Sequence, residues 1–535
     1  MKALLSSSLA VCLSTLAFGS TQAPDSRLIQ ADLTQVKGPF SRMAEVCVGA
    51  GRANEGLRAD FQRQLAEVHR ECGFKYLRFH GLLCDDMGVY IVDSKGREHY
   101  NFQYIDELFD SMLGMGVKPF VELGFMPSGL ASGSATIFWW KGNVTPPRDP
   151  AKWEALIKAL LTHWTERYGE DEVASWYFEV WNEPNLSGFW LGDQGNTPYA
   201  EWEPRARAEY FKLYETTARA VKAVSSRYRV GGPATAGTAW LPETLAHCSE
   251  RGIPLDFVST HHYSVVSGYL DEKGDTGTVL SPNRDDMIVQ VRNSRAQIQA
   301  SAKPGLELHY TEWSSSYTPS DPFHDSYHSA AFILNKLRGI GDAAQSMSYW
   351  TFTDIFEEAG PRWSAFHGGF GLMNYQGIRK PSFYAYQFLH RMGETELVNH
   401  DMDAWVTTAK DGSVQALFWD FTITHPGTKV NNQDFYNKDQ PALAAKPARL
   451  SLRGLKPGVY QLTGYKVGYR SNDAYSAYID MGSPAQLTRA QVARLKDAGD
   501  GRSFISEQVT VGADGVLERT FEMRQNDVIQ VLLRR

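Results

Sequence analysis

Along residues 42–390, short runs of β-branched and aromatic residues alternate with longer stretches whose apolar positions recur every three or four residues. The short runs predict strands at Glu45–Gly49, Tyr76–Gly81, Lys118–Gly124, Trp176–Trp181, Arg229–Gly232, Phe257–Tyr263, Leu306–Glu312 and Ser346–Phe352. The longer stretches, such as Phe61–Glu71, Tyr104–Met115, Trp153–Tyr168, Ala206–Ser226 and Ser329–Gly341, predict amphipathic helices. Eight strand–helix units over about 350 residues predict an α/β fold of the (β/α)8 TIM barrel type, with insertions. A doubly wound open sheet is the competing arrangement. Against it, no GxGxxG or GxxxxGK[ST] stands at a strand–helix junction.

Beyond about residue 395 the period shortens to two. Asp403–Thr408, Val414–Phe421, Ala448–Leu452, Gly458–Lys466 and Val528–Leu533 are separated by Gly, Pro, Asn and Asp. That pattern predicts a β-sandwich. Arg27–Lys37 alternates too and offers the sandwich a further strand. The expected order is an N-terminal segment (24–41), a barrel (42–395) and an accessory C-terminal sandwich (396–535), with no low-complexity linker between them.

The chain opens with Met1-Lys2 and an apolar stretch, Ala3 to Phe18, interrupted by serines. Small residues at Ala17 and Gly19, or at Ala23, offer cleavage positions, and the first acid is Asp25. This predicts a secretory signal over residues 1–23 and export to the periplasm or medium. The run is short for a membrane span, and no later segment reaches 18 apolar residues, so no membrane partner is expected. With 54 Lys plus Arg against 61 Asp plus Glu, the net charge of −7 argues against nucleic acid as a partner. Beyond Cys12, the four cysteines Cys47, Cys72, Cys84 and Cys248 form no CxxC pair. Free buried thiols are therefore expected rather than a zinc site, and no cofactor or metal is expected. Aromatics make up 12% of the chain and suit either core filling or sugar stacking.

Two strand ends concentrate the chemistry. Trp176-Tyr-Phe-Glu-Val-Trp-Asn-Glu-Pro-Asn185 ends the fourth strand and delivers Asn182 and Glu183. Leu306-Glu-Leu-His-Tyr-Thr-Glu-Trp313 ends the seventh and delivers Glu312. The C-terminal ends of barrel strands form the active face, and strands four and seven lie across it from each other. Two carboxyls so placed can flank a glycosidic bond, one protonating the leaving oxygen while the other attacks or activates water. Arg78 and His80 share a face on the second strand, as do His261 and Tyr263 on the sixth. Each of these is also compatible with a packing role.

The strings FEVWNEPNLSGFW, KYLRFHGLL, KPFVELGFMPSGLASG, THHYS, YTEWSSSY, SYWTFTDIFEE and FHGGFGLMNYQGIRKPSFYAYQFL resemble glycoside hydrolase family 39, in the expected order over about residues 40–395. They lean toward its bacterial β-xylosidase branch. The resemblance implies a retaining glycosidase with Glu183 as general acid/base and Glu312 as nucleophile. It makes Asn182 the donor to the sugar 2-hydroxyl, Tyr263 and Arg78 partners of the nucleophile, and His80 a ligand of sugar hydroxyls. His261 joins this set of substrate-site residues. Trp350 is implied as the aromatic platform, and Glu358, in preference to Glu357, as the ligand of the outer hydroxyls. Glu122 and Trp139–Trp140 are further candidates for the pocket. The implied partner is an oligosaccharide. An iduronidase-like, arabinosidase-like or exopolysaccharide-cleaving specificity is the alternative, and a non-catalytic carbohydrate-binding protein a remote one, since both glutamates are present. Exo or endo action depends on loops such as Ser132–Pro146 and Ser267–Asn283, and the oligomeric state is not legible.

Overall fold

The computed structural model describes residues 26–535 apart from Asp193, Gln194, Asn196 and residues 271–275, so the expected signal segment lies outside the described residues. Eight parallel strands close into a barrel: Cys47–Arg52, Tyr76–His80, Lys118–Leu123, Tyr177–Val180, Arg229–Thr235, Phe257–Tyr263, Glu307–Ser314 and Ser346–Tyr349. The eighth pairs with the first, Tyr349 opposite Val48, and this closure excludes the open sheet. Outward-facing residues such as Leu77, Phe79, Val121, Phe178 and Val180 are buried beneath the helical ring. Inward, Phe120, Tyr177 and Phe257 fill the bottom of the barrel, with the Phe120 and Tyr177 rings stacked at 4.7 Å. Two residues beyond Phe120 and Tyr177 the inner layer turns charged, with Glu122 and Glu179 joined by Arg78 of the second strand, all fully enclosed.

The first strand starts two residues later than the hydrophobic pattern suggests. Met43–Glu45 forms a 3-10 turn whose Glu45 is held by Arg42 at 2.7 Å. Three further helices complete the ring, Leu241–Glu250, Asp286–Gln299 and Pro381–His390. The first two bury one stripe each, Leu241, Thr244, Leu245 and Cys248 in one and Met287, Ile288, Val291, Ser294 and Ile298 in the other. Pro381–His390 has no polar face, because nine residues in a row, Pro381 to Leu389, are buried.

The accessory domain is a seven-stranded sheet facing a three-stranded one around a single apolar core. Segments on both sides of the barrel in sequence build it. Arg27–Asp32 lies parallel to Ala448–Arg453, and Val36–Pro39 extends the large sheet beside Thr395–Leu397. Between Gly458–Val467 and Ile505–Val511, two strands of the large sheet, the chain forms two helices, Ala474–Asp480 and Arg489–Ala498, where alternation alone suggested only strands. Arg489–Ala498 buries only Leu495, so it has no apolar stripe, but a Thr488–Gln491 capping box starts it. These helices pack on Phe366 and Ile378 of the barrel. Trp405, Trp419 and Phe421 of the sandwich join the barrel core directly.

Candidate active site

A cavity of about 730 Å³ opens at the C-terminal ends of the strands, lined among others by His80, Asn182, Glu183, Tyr263, Glu312, Trp350 and Glu358. Loops wall it. Thr136–Ile137 and Gly142–Asn143 form a small ribbon that carries Phe138 to 5.7 Å from the His80 ring. A hairpin, Val265–Leu270 with Thr276–Leu280, is fastened by Asn431, which accepts from Tyr269 N at 2.6 Å and donates to Tyr269 O at 2.8 Å. Beneath Trp350 only a glycine fits, because a Cβ on Gly49 would come within 2.4 Å of the indole.

Glu183 follows the fourth strand through two left-handed residues, Trp181 at φ 72° and Glu183 itself at φ 44°. Such backbone is costly for non-glycine residues and survives where surrounding bonds enforce it. Here Glu183 N donates to Ala234 O at 2.8 Å, and Asn185 bridges to the Ala236 backbone at 2.9 and 3.0 Å. Glu312 depends on a bulge. Thr260 pairs with Tyr310 but His261 pairs with Glu312, so Thr311 is the extra residue and both Thr311 and Glu312 turn inward.

One oxygen of Glu183 and one of Glu312 lie within 4.8 Å of each other. Glu312 accepts from Arg78 on one oxygen and from Tyr263 Oη at 2.8 Å on the other. Arg78 also donates to Glu179 at 2.9 Å and to Asn182 Oδ1 at 2.8 Å, leaving the Asn182 amide hydrogens for the cavity. His80 Nδ1 sits 2.6 Å from Glu122, and its Nε2 lies 3.6 Å from Glu312 and 3.5 Å from Glu358. Burial alone would make His80 neutral, but the Glu122 carboxylate more than reverses this and raises its pKa to about 10. The imidazolium is therefore a fixed donor at the cavity floor.

Burial raises Glu183 to about 7, only partly offset by the His80 and Arg78 cations. Burial likewise raises Glu358 to about 7, with His80 pulling the other way. His261 is lowered to about 4 by burial and is neutral. Its tautomer follows from its neighbours. Thr311 donates its one proton to Glu179 at 2.7 Å, so His261 Nε2, 3.1 Å from the Thr311 hydroxyl, must be the donor there. Nδ1 then carries the lone pair and accepts from the Glu183 carboxyl at 2.9 Å. The chain Glu183–His261–Thr311–Glu179 thereby favours protonated Glu183.

Seven of the nine residues singled out in the sequence meet in the cavity. Arg78 and His261 lie beneath it, both 0% exposed: Arg78 pairs with Glu312, the partner the resemblance implied for it, while His261, expected in the substrate site, binds Glu183 instead. Their inward alternation carries them to the layer under the cavity. Glu357 turns away to Arg52 at 2.9 Å and Arg58 at 3.3 Å, so Glu358 alone of that pair faces the cavity. Glu122 lies under His80 and Arg78 rather than on the wall, and Trp139 anchors the ribbon by donating its backbone N–H to Glu358 O at 2.8 Å. Glu179 and Thr311 were not anticipated. The signal for Glu179 was present, a charge flanked by Phe178 and Val180 in an otherwise apolar strand. Glu183, His261 and Glu312 are also the group spaced for a cation among the described residues. Their donor atoms are already engaged by Arg78, Tyr263, Thr311 and one another.

Two carboxyls facing one cavity, one with its pKa raised to about 7 by burial and the other held by a cation and a phenol, are the apparatus of glycosidic-bond hydrolysis. The protein is a glycoside hydrolase. The chain belongs to glycosyl hydrolases family 39, whose model matches residues 27–516. It is 44% identical over 496 residues to a β-xylosidase of Geobacillus stearothermophilus, covering 91% of this chain and 92% of that one. It is similar to the crystal structure of a monomeric β-xylosidase from Caulobacter crescentus, with TM-score 0.89 and 46% identity over 95% of this chain and 99% of that one. The crystal structure of a family 39 enzyme from Xanthomonas axonopodis pv. citri gives TM-score 0.90 and 44% identity, covering 97% and 100%.

Proposed function

We propose that the protein is an exported, exo-acting β-xylosidase that releases xylose from the non-reducing ends of xylo-oligosaccharides with retention of configuration. The observation that carries the mechanism is the approach of Glu183 and Glu312 to within 4.8 Å, oxygen to oxygen. Retaining glycosidases hold their carboxyls about 5–5.5 Å apart, while inverting ones leave about 6.5–9.5 Å for a water. Glu312 attacks the anomeric carbon while Glu183 protonates the departing oxygen, giving a glycosyl ester on Glu312. Glu183, now ionised, takes a proton from water, which displaces Glu312 and restores both groups. Arg78 and Tyr263 aim Glu312. Asn182 faces the neighbouring hydroxyl, and His80, Glu358 and Trp350 grip the rest of the ring.

Similarity to β-xylosidases supports the sugar, and the ribbon, the hairpin and the Glu358 loop around the cavity support end-on binding of a single unit. Export rests on the character of residues 1–23. A panel of nitrophenyl glycosides tests specificity: the β-xyloside should turn over fastest among xyloside, arabinoside, glucoside and iduronide. Proton NMR of the first product should show the β-anomer, and an α-anomer appearing first would remove the double displacement.

A further inference from the structure

A second polar pocket, of about 320 Å³, lies on the outer face of the seven-stranded sheet, where the C-terminal end of helix Pro381–His390 meets it. By barrel topology this is the end remote from the catalytic cavity. Arg391, Arg534, Gln461, Thr463, Tyr465 and Gln415 line it, and no carboxylate does. Alternation explains how the sheet residues come together. Val414, Ala416, Leu462 and Leu533 point into the sandwich core, so Gln415, Gln461, Thr463 and Arg534 point out. The register sets Gln461 opposite Arg534, and Thr463 and Gln415 on either side of Leu532.

Arg391 reaches over the sheet from the helix end, its guanidinium 4.7 Å above the Tyr465 ring. Its Nη1 is buried and has no hydrogen-bond partner among the described residues. Buried guanidinium nitrogens are normally paired, so this one calls for a partner. The acids acting on the two arginines stand outside the pocket and are engaged elsewhere. Glu71 is bound by Gln387 at 2.9 Å and Arg70 at 3.1 Å. Asp411 accepts from Ser413 at 2.9 Å. Two cations therefore face a pocket whose other groups are neutral. Gln461 uses its Nε2 on Ser506 at 2.9 Å, which leaves its oxygen as an acceptor, and the Thr463 hydroxyl stands beside it.

We propose that this pocket binds an acidic sugar, its carboxylate held between Arg391 and Arg534 and its hydroxyls by Gln461 and Thr463. A guanidinium fork matches a carboxylate in two parallel bonds. The neutral groups give a sugar ring what a bare inorganic anion would not use. The site is separate from the hydrolytic one and stands whether or not the xylosidase assignment does.

Calorimetric titration of the intact protein with glucuronate, with saturating xylose present to fill the catalytic cavity, tests this. Glucuronate should bind one site at least tenfold more tightly than glucose. Arg391→Ala and Arg534→Ala should each weaken it at least tenfold while leaving nitrophenyl glycoside hydrolysis unchanged. Thr463→Val and Gln461→Leu should weaken glucuronate but not inorganic phosphate. If Arg391→Ala fails to fold, Arg534→Ala and the two neutral variants decide. Glucuronate binding no tighter than glucose, binding unchanged in the variants, or phosphate binding as tightly as glucuronate with no effect of Thr463→Val or Gln461→Leu would each overturn the proposal.

Discussion

Two features of different kinds favour the protonated form of Glu183: the burial that raises its pKa to about 7, and a neutral His261 that can only accept from it. A carboxyl raised in this way is a competent acid below its pKa and is lost as the pH climbs through it. The rate on substrates with poor leaving groups should therefore fall as pH rises past about 7. Glu183→Ala should slow natural disaccharides by about 10²–10⁴-fold. It should spare activated aryl glycosides in the bond-breaking step and give a β-glycosyl azide when azide is added. Because burial raises Glu358 to about 7 as well, the pH profile of Glu358→Gln on a substrate with a poor leaving group tells the two apart: the basic limb persists if it belongs to Glu183. Thr311→Val removes the acceptor that fixes the His261 tautomer. The imidazole can then turn its N–H toward Glu183 and favour the ionised form, so the basic limb of kcat/KM should move to lower pH with little change on activated substrates.

At the scale of elements, loops after the barrel strands hold the cavity only as firmly as their roots. The segment from Phe366 to Gly371 packs Phe370 against Trp350 and Phe356. Its root is a fully buried cluster, Lys380 between Asp325 and Asp354 at 2.6 Å each, with both aspartates also accepting from the Gly368 and Gly371 backbone. Removing one member of such a cluster leaves unpaired buried charge, which costs about 3–5 kcal/mol. Lys380→Met should lose stability on that order in denaturant unfolding and raise KM for the aryl glycoside as Phe370 loosens. A loss under 1 kcal/mol would show the aspartates taking up protons without strain.

For the whole molecule, the sandwich is closed by Arg27–Asp32, ahead of the barrel in sequence. Arg27 makes a two-pronged pair with Asp401 at 2.6 and 2.9 Å and binds the Trp419 and Asp403 carbonyls. Ile29 and Ala31 are buried in the core. Deleting Arg27–Asp32 would leave Ala448–Arg453 as an open edge and a hole in that core. Calorimetry should show a lower Tm for the deletion, while KM measured well below the transition stays unchanged because the cavity lies on the barrel. A KM shift would mean that the sandwich sets the cavity loops through Asn431.

Much of this was legible in the chain because strand and helix periods are local physics: alternation and the three-to-four repeat read directly as eight units and a sandwich. The two glutamates were legible because a charged residue at the end of an apolar strand has one place to go in a barrel. Other features depended on partners far away in sequence. The extra residue at Thr311, which turns Glu312 inward, shows only in the pairing with Phe257–Tyr263. Glu358 faces the cavity because Arg52 and Arg58 take Glu357. His261 carries the right chemistry for touching substrate, yet the layering of the barrel interior sets it one level below the cavity, beside Arg78. Which residues exist to do chemistry is written in the local pattern; which of them reach the substrate is decided by packing, since depth in a closed barrel depends on every strand at once.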